Sequence, residues 1–299
     1  MTDLLLGEIA ALLTAFCWSF TALSFEAAGK RIGSLNVNFL RLSLAFIFLS
    51  LFNGIVSRQF FPKDVSAHAW LWLSVSGLTG FVIGDFFLFK AYVVVGARIS
   101  MLIMSLVPPI TALIGWLFLD ETMNFKEIVA MIMTISGVAL VVLERNTDNG
   151  ALKFSHPLSG ILFAFGGAVG QAIGLIFSKY GMGNYNAFVA TQIRVITGVI
   201  GFGIILIILK RMPQLAQAVR NRPAIKYTTI GAFFGPFLGV SLSLLAVQHT
   251  ATGIASTIMA IVPVLIIPLA ILIKKERTTL KEIVGAAIAV GGVSIYFIV

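Results

Sequence analysis

The sequence predicts an all-α integral membrane protein of ten transmembrane helices, arranged as two inverted five-helix repeats. Three observations lead there: composition, the length of the apolar runs, and an internal duplication. Of 299 residues, 59% are hydrophobic and only 11% charged, and the mean hydropathy is +1.02. A soluble domain carries roughly 25% charged residues, because it needs a surface that faces water. The apolar residues also come in long unbroken runs. About 20 such residues are needed to cross roughly 30 Å of hydrocarbon as a helix, and a helix satisfies its own backbone hydrogen bonds inside lipid.

Taken in order, the predicted spans are Leu4–Phe25, Leu35–Val56, Ala69–Val94, Ala97–Leu119 and Phe125–Leu143, then Pro157–Lys179, Phe188–Leu209, Ile225–Val247, Ala251–Ile273 and Leu280–Ile298. Short loops join them, too short to hold an inserted soluble domain. The longest polar connections are Glu144–His156 and Lys210–Lys226. This divides the chain into a first repeat at 1–146, a connecting loop at 147–156 and a second repeat at 157–299. The N-terminus does not read as a signal peptide: Asp3 and Glu8 stand where a basic region belongs.

The two halves read as copies. A shift of 155 residues sets Met104-x-x-Val107-Pro108 on Met259-x-x-Val262-Pro263, Glu121 on Glu276, and Lys126-Glu127-Ile128-Val129 on Lys281-Glu282-Ile283-Val284. Gly84 falls on Gly239, and Gly137-Val138 on Gly292-Val293. Nearer each start the shift is 153, which sets Arg41 on Arg194. Five crossings per copy start the second copy on the opposite face, an architecture common in secondary transporters, with a site where the repeats meet.

The formal net charge of +9 does not point to nucleic acid, because the basic residues sit in short loops where they control topology. Lys30, Arg31, Arg98, Arg145, Lys153 and the cluster Lys210–Lys226 fall on one face. Arg58, Lys63, Lys126 and Lys179 fall on the other. The first face is expected to be cytoplasmic, in a plasma (inner) membrane. Loops 1–2, 3–4, 5–6, 7–8 and 9–10 then lie inside and both termini outside. The single cysteine, Cys17, offers neither a disulfide nor a zinc or redox cluster; no metal or cofactor is expected.

The paired segments Pro108…Asp120-Glu121…Phe125-Lys126-Glu127…Gly137 and Pro263…Lys275-Glu276…Leu280-Lys281-Glu282…Gly292 resemble the repeated signature of EamA-type carriers of the drug/metabolite transporter superfamily. The resemblance covers about residues 7–143 and 157–298. It implies a ten-helix inverted-repeat carrier with a central cavity, often an exporter of amino acids or other metabolites. Some relatives carry nucleotide sugars, phosphorylated metabolites or drugs.

Several residues carry the site hypotheses. Asp85 lies deep in the third span and has Val240 as its counterpart, so it is the first candidate to bind a substrate amine or a proton; a buried salt bridge to Arg41, Arg194 or Lys90 is the competing reading. Arg41 and Arg194 recur in both halves. They either snorkel to the interface or hold an anionic substrate through the guanidinium fork. Trp18 and Gln171 are a second asymmetric pair, with Ser19, Tyr92, Gln192 and Glu26 as weaker candidates. Pro108 and Pro263 fall mid-span, where proline removes a helical hydrogen bond and favours a kink or hinge. Asn124-x-x-Glu127 and Thr279-x-x-Glu282 have capping-box spacing, and Glu121 and Glu276 read as fixing hairpins. Gly80-x3-Gly84, Gly166-x3-Gly170-x3-Gly174 and Gly231-x3-Gly235-x3-Gly239 place small residues along one helix face. They serve packing within the chain or a homodimer; monomer and homodimer both stay open.

These residues point to a secondary transporter of small metabolites, an exporter of amino acids or related compounds, working by alternating access through a central cavity between the repeats. Protons are a candidate coupling ion through Asp85. Nucleotide sugars, phosphorylated metabolites and drugs are the alternative substrates, and a channel-like pore the alternative class. An enzyme is not expected: HExxH and GxSxG are absent, and His68, His156 and His249 lie in or beside loops.

Overall fold

Backbone amides in hydrocarbon have no water to bond, so apolar runs of this length settle as helices. The computed structural model describes residues 2–118, 125–145, 152–249, 255, 258–274 and 278–297. Within them the helices are α1 (Thr2–Ile32), α2 (Ser34–Val56), α3 (Ala67–Val94), α4 (Gly96–Met104), α5 (Val107–Phe118) and α6 (Phe125–Val142). After the connection come α7 (Leu158–Met182), α8 (Ala187–Ile208), α9 (Met212–Arg220), α10 (Arg222–His249), α11 (Val262–Lys274) and α12 (Leu280–Phe297). Six of them, α1, α2, α3, α7, α8 and α10, are long and apolar enough to cross a membrane. Shorter apolar helices span Gly96–Thr111, Ile128–Val142 and Val262–Ile273. Large apolar side chains such as Ile55, Phe125, Leu272 and Leu280 are exposed on the outer faces, where the solvent is lipid and not water.

Three local features differ from the sequence expectation. The first helix runs past Phe25 to Ile32, so Lys30 and Arg31 form its last turn rather than a loop. There they suit the negative helix end, and Lys30 donates to Glu26, one turn back, at 2.6 Å. Gly33, at φ +81°, then turns the chain, a value that costs glycine little. The connection around 147–156 is not all loop: Leu143–Arg145 and Leu152–Phe154 pair as antiparallel strands β1 and β2, with Glu144 opposite Lys153. The polar Lys210–Lys226 stretch holds α9, which rests on the bundle through Leu215 and Ala218.

Helix starts follow local chemistry. Ser66 Oγ accepts from the Ala69 amide at 3.2 Å, and Asn186 and Asn221 accept from Phe188 and Ala224. At α12, Thr279 Oγ1 accepts from the Glu282 amide at 3.2 Å, the first half of a capping box. The Glu282 carboxylate pairs with Arg98 of the other half at 2.7 Å. Asn124, Glu121 and Glu276 lie outside the described residues, as does the Glu127 side chain.

The halves interlock. α1 packs against α10 and α11, α7 against α3 and α5, α2 against α8, and α6 against α12. The close contacts come in exchanged pairs. In α6 and α12, Gly137 lies against the Ala289 backbone and Gly292 against Thr134. A shift of 155 turns one contact into the other. In α3 and α7, Gly80 meets Gly174 and Gly84 meets Gly170; in α10 and α1, Gly235 meets Thr21 and Gly239 meets Trp18. All three glycine stripes are thereby used inside the chain, where absent side chains let backbones approach.

A Cβ on Gly170 would lie 2.5 Å from Gly84 Cα, whereas one on Gly203 in α8 would meet only the Phe39 ring edge at 3.6 Å. Gly170→Ala is therefore expected to lower unfolding stability by about 1–3 kcal/mol, the usual cost of overpacking. Gly203→Ala should leave it unchanged or raise it by up to about 1 kcal/mol. Thermal unfolding of the purified variants checks the contrast.

Candidate functional site

Interruptions of helical geometry fall at equivalent places in the two halves and surround one cavity. Within α3 the segment Gly77–Gly84 is π-helical, and within α10 the segment Phe233–Gly239. Single π-turns of this kind often mark functional sites. Gly80 and Gly84 loosen the first, and Pro236 occupies the second. Between α4 and α5 the helix is broken at residues 105–106, and turn residues 260–261 precede α11. Both α5 and α11 open with Val-Pro, placing Pro108 and Pro263 in the first turn, where a proline's missing amide is least costly.

The cavity between these elements has a volume of about 150 Å³. Its walls are largely apolar and aromatic, with Trp18, Phe25, Phe81, Phe89 and Tyr92 among them. They are drawn from matching positions of the two halves. Trp18 and Gln171, Arg41 and Arg194, Asp85 and Val240, Phe81 and Pro236, Met104 and Met259, and Pro108 and Pro263 all line it.

Polar chemistry is concentrated at Asp85, which follows the π-helical segment directly. Arg41 Nη2 forms a buried ion pair with Asp85 Oδ2, and Gln171 Nε2 donates to Asp85 Oδ1 at 2.8 Å and to the Gly80 carbonyl at 3.3 Å. Asn38 accepts from Arg41 Nε at 3.0 Å and donates to the Asp85 carbonyl at 3.2 Å. The Arg41 guanidinium also lies 4.5 Å from the centre of the Phe89 ring, a cation–π distance. Arg194 is equally buried. It lies 4.7 Å from the Phe81 ring centre, and its Nε has no hydrogen-bond partner among the described residues.

The sequence candidates therefore separate. Trp18, Arg41, Asp85, Tyr92, Gln171, Arg194, Pro108 and Pro263 come together at the cavity. Ser19 does not: it is fully buried and bonds the Ala15 carbonyl in its own helix at 2.8 Å. Gln192 is also remote. It accepts from Asn53 at 2.8 Å and donates to Ser50 and the Phe60 carbonyl, tying the loop after α2 onto α8. Glu26 accepts from the Ala97 amide at 2.9 Å and so fixes the turn from α3 to α4. Neither arginine snorkels to the interface, because Asp85 and the phenyl rings hold both inward. Lys90 stands over Phe86, at 4.0 Å, and over Phe163. Sequence reasoning missed Phe81, Pro236, Asn38 and Thr21. Asn38, three residues before Arg41, and Pro236, inside a glycine stripe, were signals in plain view.

Apolar helices with lipid-facing exteriors and an interior cavity define a multi-pass membrane protein of the transport class. The chain belongs to the EamA-like transporter family, whose model matches residues 5–143 and 158–298 and so finds two repeats. An "Uncharacterized transporter" of Haemophilus influenzae (strain ATCC 51907 / DSM 11121 / KW20 / Rd) is 26% identical over 147 residues, 49% of this chain and 48% of that protein. The match thus spans about half the length of the relative. A crystal structure of a further protein aligns with a TM-score of 0.64 at 15% identity, over 97% of this chain and 96% of that one. At that identity it shows the fold alone. Family and relative point to a transporter rather than an enzyme.

The buried pair makes a direct prediction. Arg41→Gln or Asp85→Asn alone breaks the buried pair and should cost about 3–5 kcal/mol of stability. The double variant should lose less than the sum. Denaturation of all four proteins in the same detergent checks the cycle; strict additivity would mean the two groups do not interact.

Proposed function

We propose that the chain is a secondary transporter of small metabolites that exports amino acids or related compounds by alternating access. The observation that carries this reading is the cavity itself, lined by equivalent positions of both repeats and bordered by broken or π-helical segments at equivalent places. Discontinuous helices at matching points of two repeats are where transporters place their sites and hinges. Residues 1–146 and 157–299 act as the two five-helix units, joined through 147–156, and together cross the bilayer ten times in inverted orientation. The exchanged contacts Gly137–Ala289 and Thr134–Gly292 support a two-fold relation between them. Rocking of one unit against the other about α6 and α12 would open the cavity to each side in turn.

The site has the lining for a small amphipathic solute: aromatic walls with a few charged groups, the usual makeup of a small-molecule pocket. Asp85 is the one carboxylate among the described lining residues, and is the group through which a proton gradient would act.

Two experiments test the reading. Proteoliposomes of the purified protein should take up labelled amino acids saturably, and Asp85→Asn should reduce uptake per mole of folded, reconstituted protein. Reporter fusions should place the Lys210–Lys226 connection in the cytoplasm and the C-terminus outside; the opposite pattern would reverse the orientation and leave the carrier intact.

A further inference from the structure

Arg194 is the second-half copy of Arg41, but the partners of the first arginine have not been copied with it. Arg41 has Asp85 and Asn38. The equivalent positions in the other half are Val240, which has no polar group, and Thr191. Thr191 uses its hydroxyl on the Ala187 carbonyl of its own helix at 2.8 Å. Gln171, which completes the Asp85 cluster, likewise has apolar Trp18 as its counterpart. Arg194 is left at 4% exposure, with Nε unpartnered among the described residues, on the wall of the cavity.

Asp85 acts on both arginines, but one carboxylate cannot neutralise two guanidiniums, and a buried excess of positive charge is unfavourable. The Phe81 ring at 4.7 Å compensates it only in part. We propose that Arg194 anchors the carboxylate of the transported solute, and that the solute is a small carboxylic acid with an apolar body. The proposal rests on the carrier reading and narrows its substrate class. Three features select this chemistry. Among the described residues, the charged side chains lining the cavity are Arg41, Asp85 and Arg194, two positive charges against one negative. One positive charge remains, which a single carboxylate balances. A planar guanidinium presents the fork that a carboxylate accepts in two parallel hydrogen bonds. The positive ends of α5 and α11 also reach the cavity through Val107 and Val262. Pro108 and Pro109 supply no amide hydrogens there, so α5 contributes its field rather than a donor set.

The rest of the lining says what is attached to the carboxylate. Both Asp85 oxygens are engaged, by Arg41 and Gln171, so an ammonium group finds no vacant carboxylate. The hydroxyls of Ser105 and Ser243 are spent on the Leu102 and Val240 carbonyls. Thr21 Oγ1 is the exception: it lines the cavity, is buried, and has no partner among the described residues. It offers the solute one further hydrogen bond. Trp18, Val240 and Phe81 then form a surface for an aromatic or branched aliphatic body.

The test uses the purified full chain and matched probes that share a body and differ in charge: 3-phenylpropionate, phenylalanine, phenylalaninamide and 2-phenylethylamine. 3-Phenylpropionate should raise the melting temperature and be taken up by proteoliposomes, phenylalanine should do both more weakly because its ammonium finds no partner, and the amide and the amine should do neither. Arg194→Gln should abolish binding of the acids. Arg194→Lys, which keeps charge and most of the volume and so guards against a folding defect, should weaken it about tenfold or more, the worth of a charge-assisted bidentate contact. Thr21→Val should weaken it several-fold. Binding of the amide or amine as tightly as the acids, or unchanged affinity for the acids in either Arg194 variant, would overturn the anchor. Uptake of other solutes with all four probes ignored would also overturn it, while sparing the carrier. Absence of uptake for every solute offered would remove the carrier reading itself.

Discussion

A charge inside hydrocarbon must find its partner within the protein, and much of the interior here is arranged around that requirement. Asp85 is buried within a helix long and apolar enough to cross a membrane. Arg41 from α2, Gln171 from α7 and the Asn38 side chain converge on it, so three helices are brought to one point. Such a pair adds little net stability compared with well-packed apolar residues, yet removing one member is costly. Its contribution is therefore to geometry. It fixes α2, α3 and α7 relative to one another and leaves the cavity beside it.

That convergence is possible only because the helices approach closely. Glycines at 80, 84, 170 and 174 remove the side chains that would hold α3 and α7 apart. The same device, with Gly235 and Gly239 against α1, is used in the second half. Close approach also bears on the π-helical segments. An additional residue per turn re-aims the side chains that follow, and Asp85 and Val240 are the residues that follow. Packing and site are two consequences of one set of small residues.

Much of this was legible in the sequence. Membrane class followed from apolar runs, repeats from the 153- and 155-residue shifts, and cavity residues from their depth and their asymmetry between halves. What was not legible required three dimensions. Nothing in the composition of Gly77–Gly84 distinguishes a π-turn from an α-turn. Ser19 and Gln192 have the polarity expected of site residues, but one is satisfied by its own helix and the other by a loop that the sequence leaves unplaced. The role of Asp85 also changed in the reading. From the sequence it is either a ligand for an amine or a proton, or one half of a buried salt bridge to Arg41, Arg194 or Lys90; the structure places it against Arg41 and Gln171.

The duplication explains why the answer to one charge exposes another. Two copies of a helix bundle begin with the same arginine in the same place, each requiring an anion. In the first copy Asp85 supplies one from within the chain. In the second, Val240 does not, and Arg194 keeps a charge whose burial is unfavourable while the cavity is empty. Carriage needs such an imbalance: an interior satisfied on both sides would have no reason to admit a solute. The excess must also be modest, because a solute held too strongly is not released. A second guanidinium resting on Phe81, sharing one carboxylate with Arg41, fits both conditions of the proposed carrier. In the proposed carrier, occupancy by an anion would balance the charge, and departure would restore a state that the ring makes tolerable. On the proposed alternating-access reading, near-symmetry of the two units would give two comparable conformations, and the broken symmetry at 85 and 240 would give the carrier something to carry.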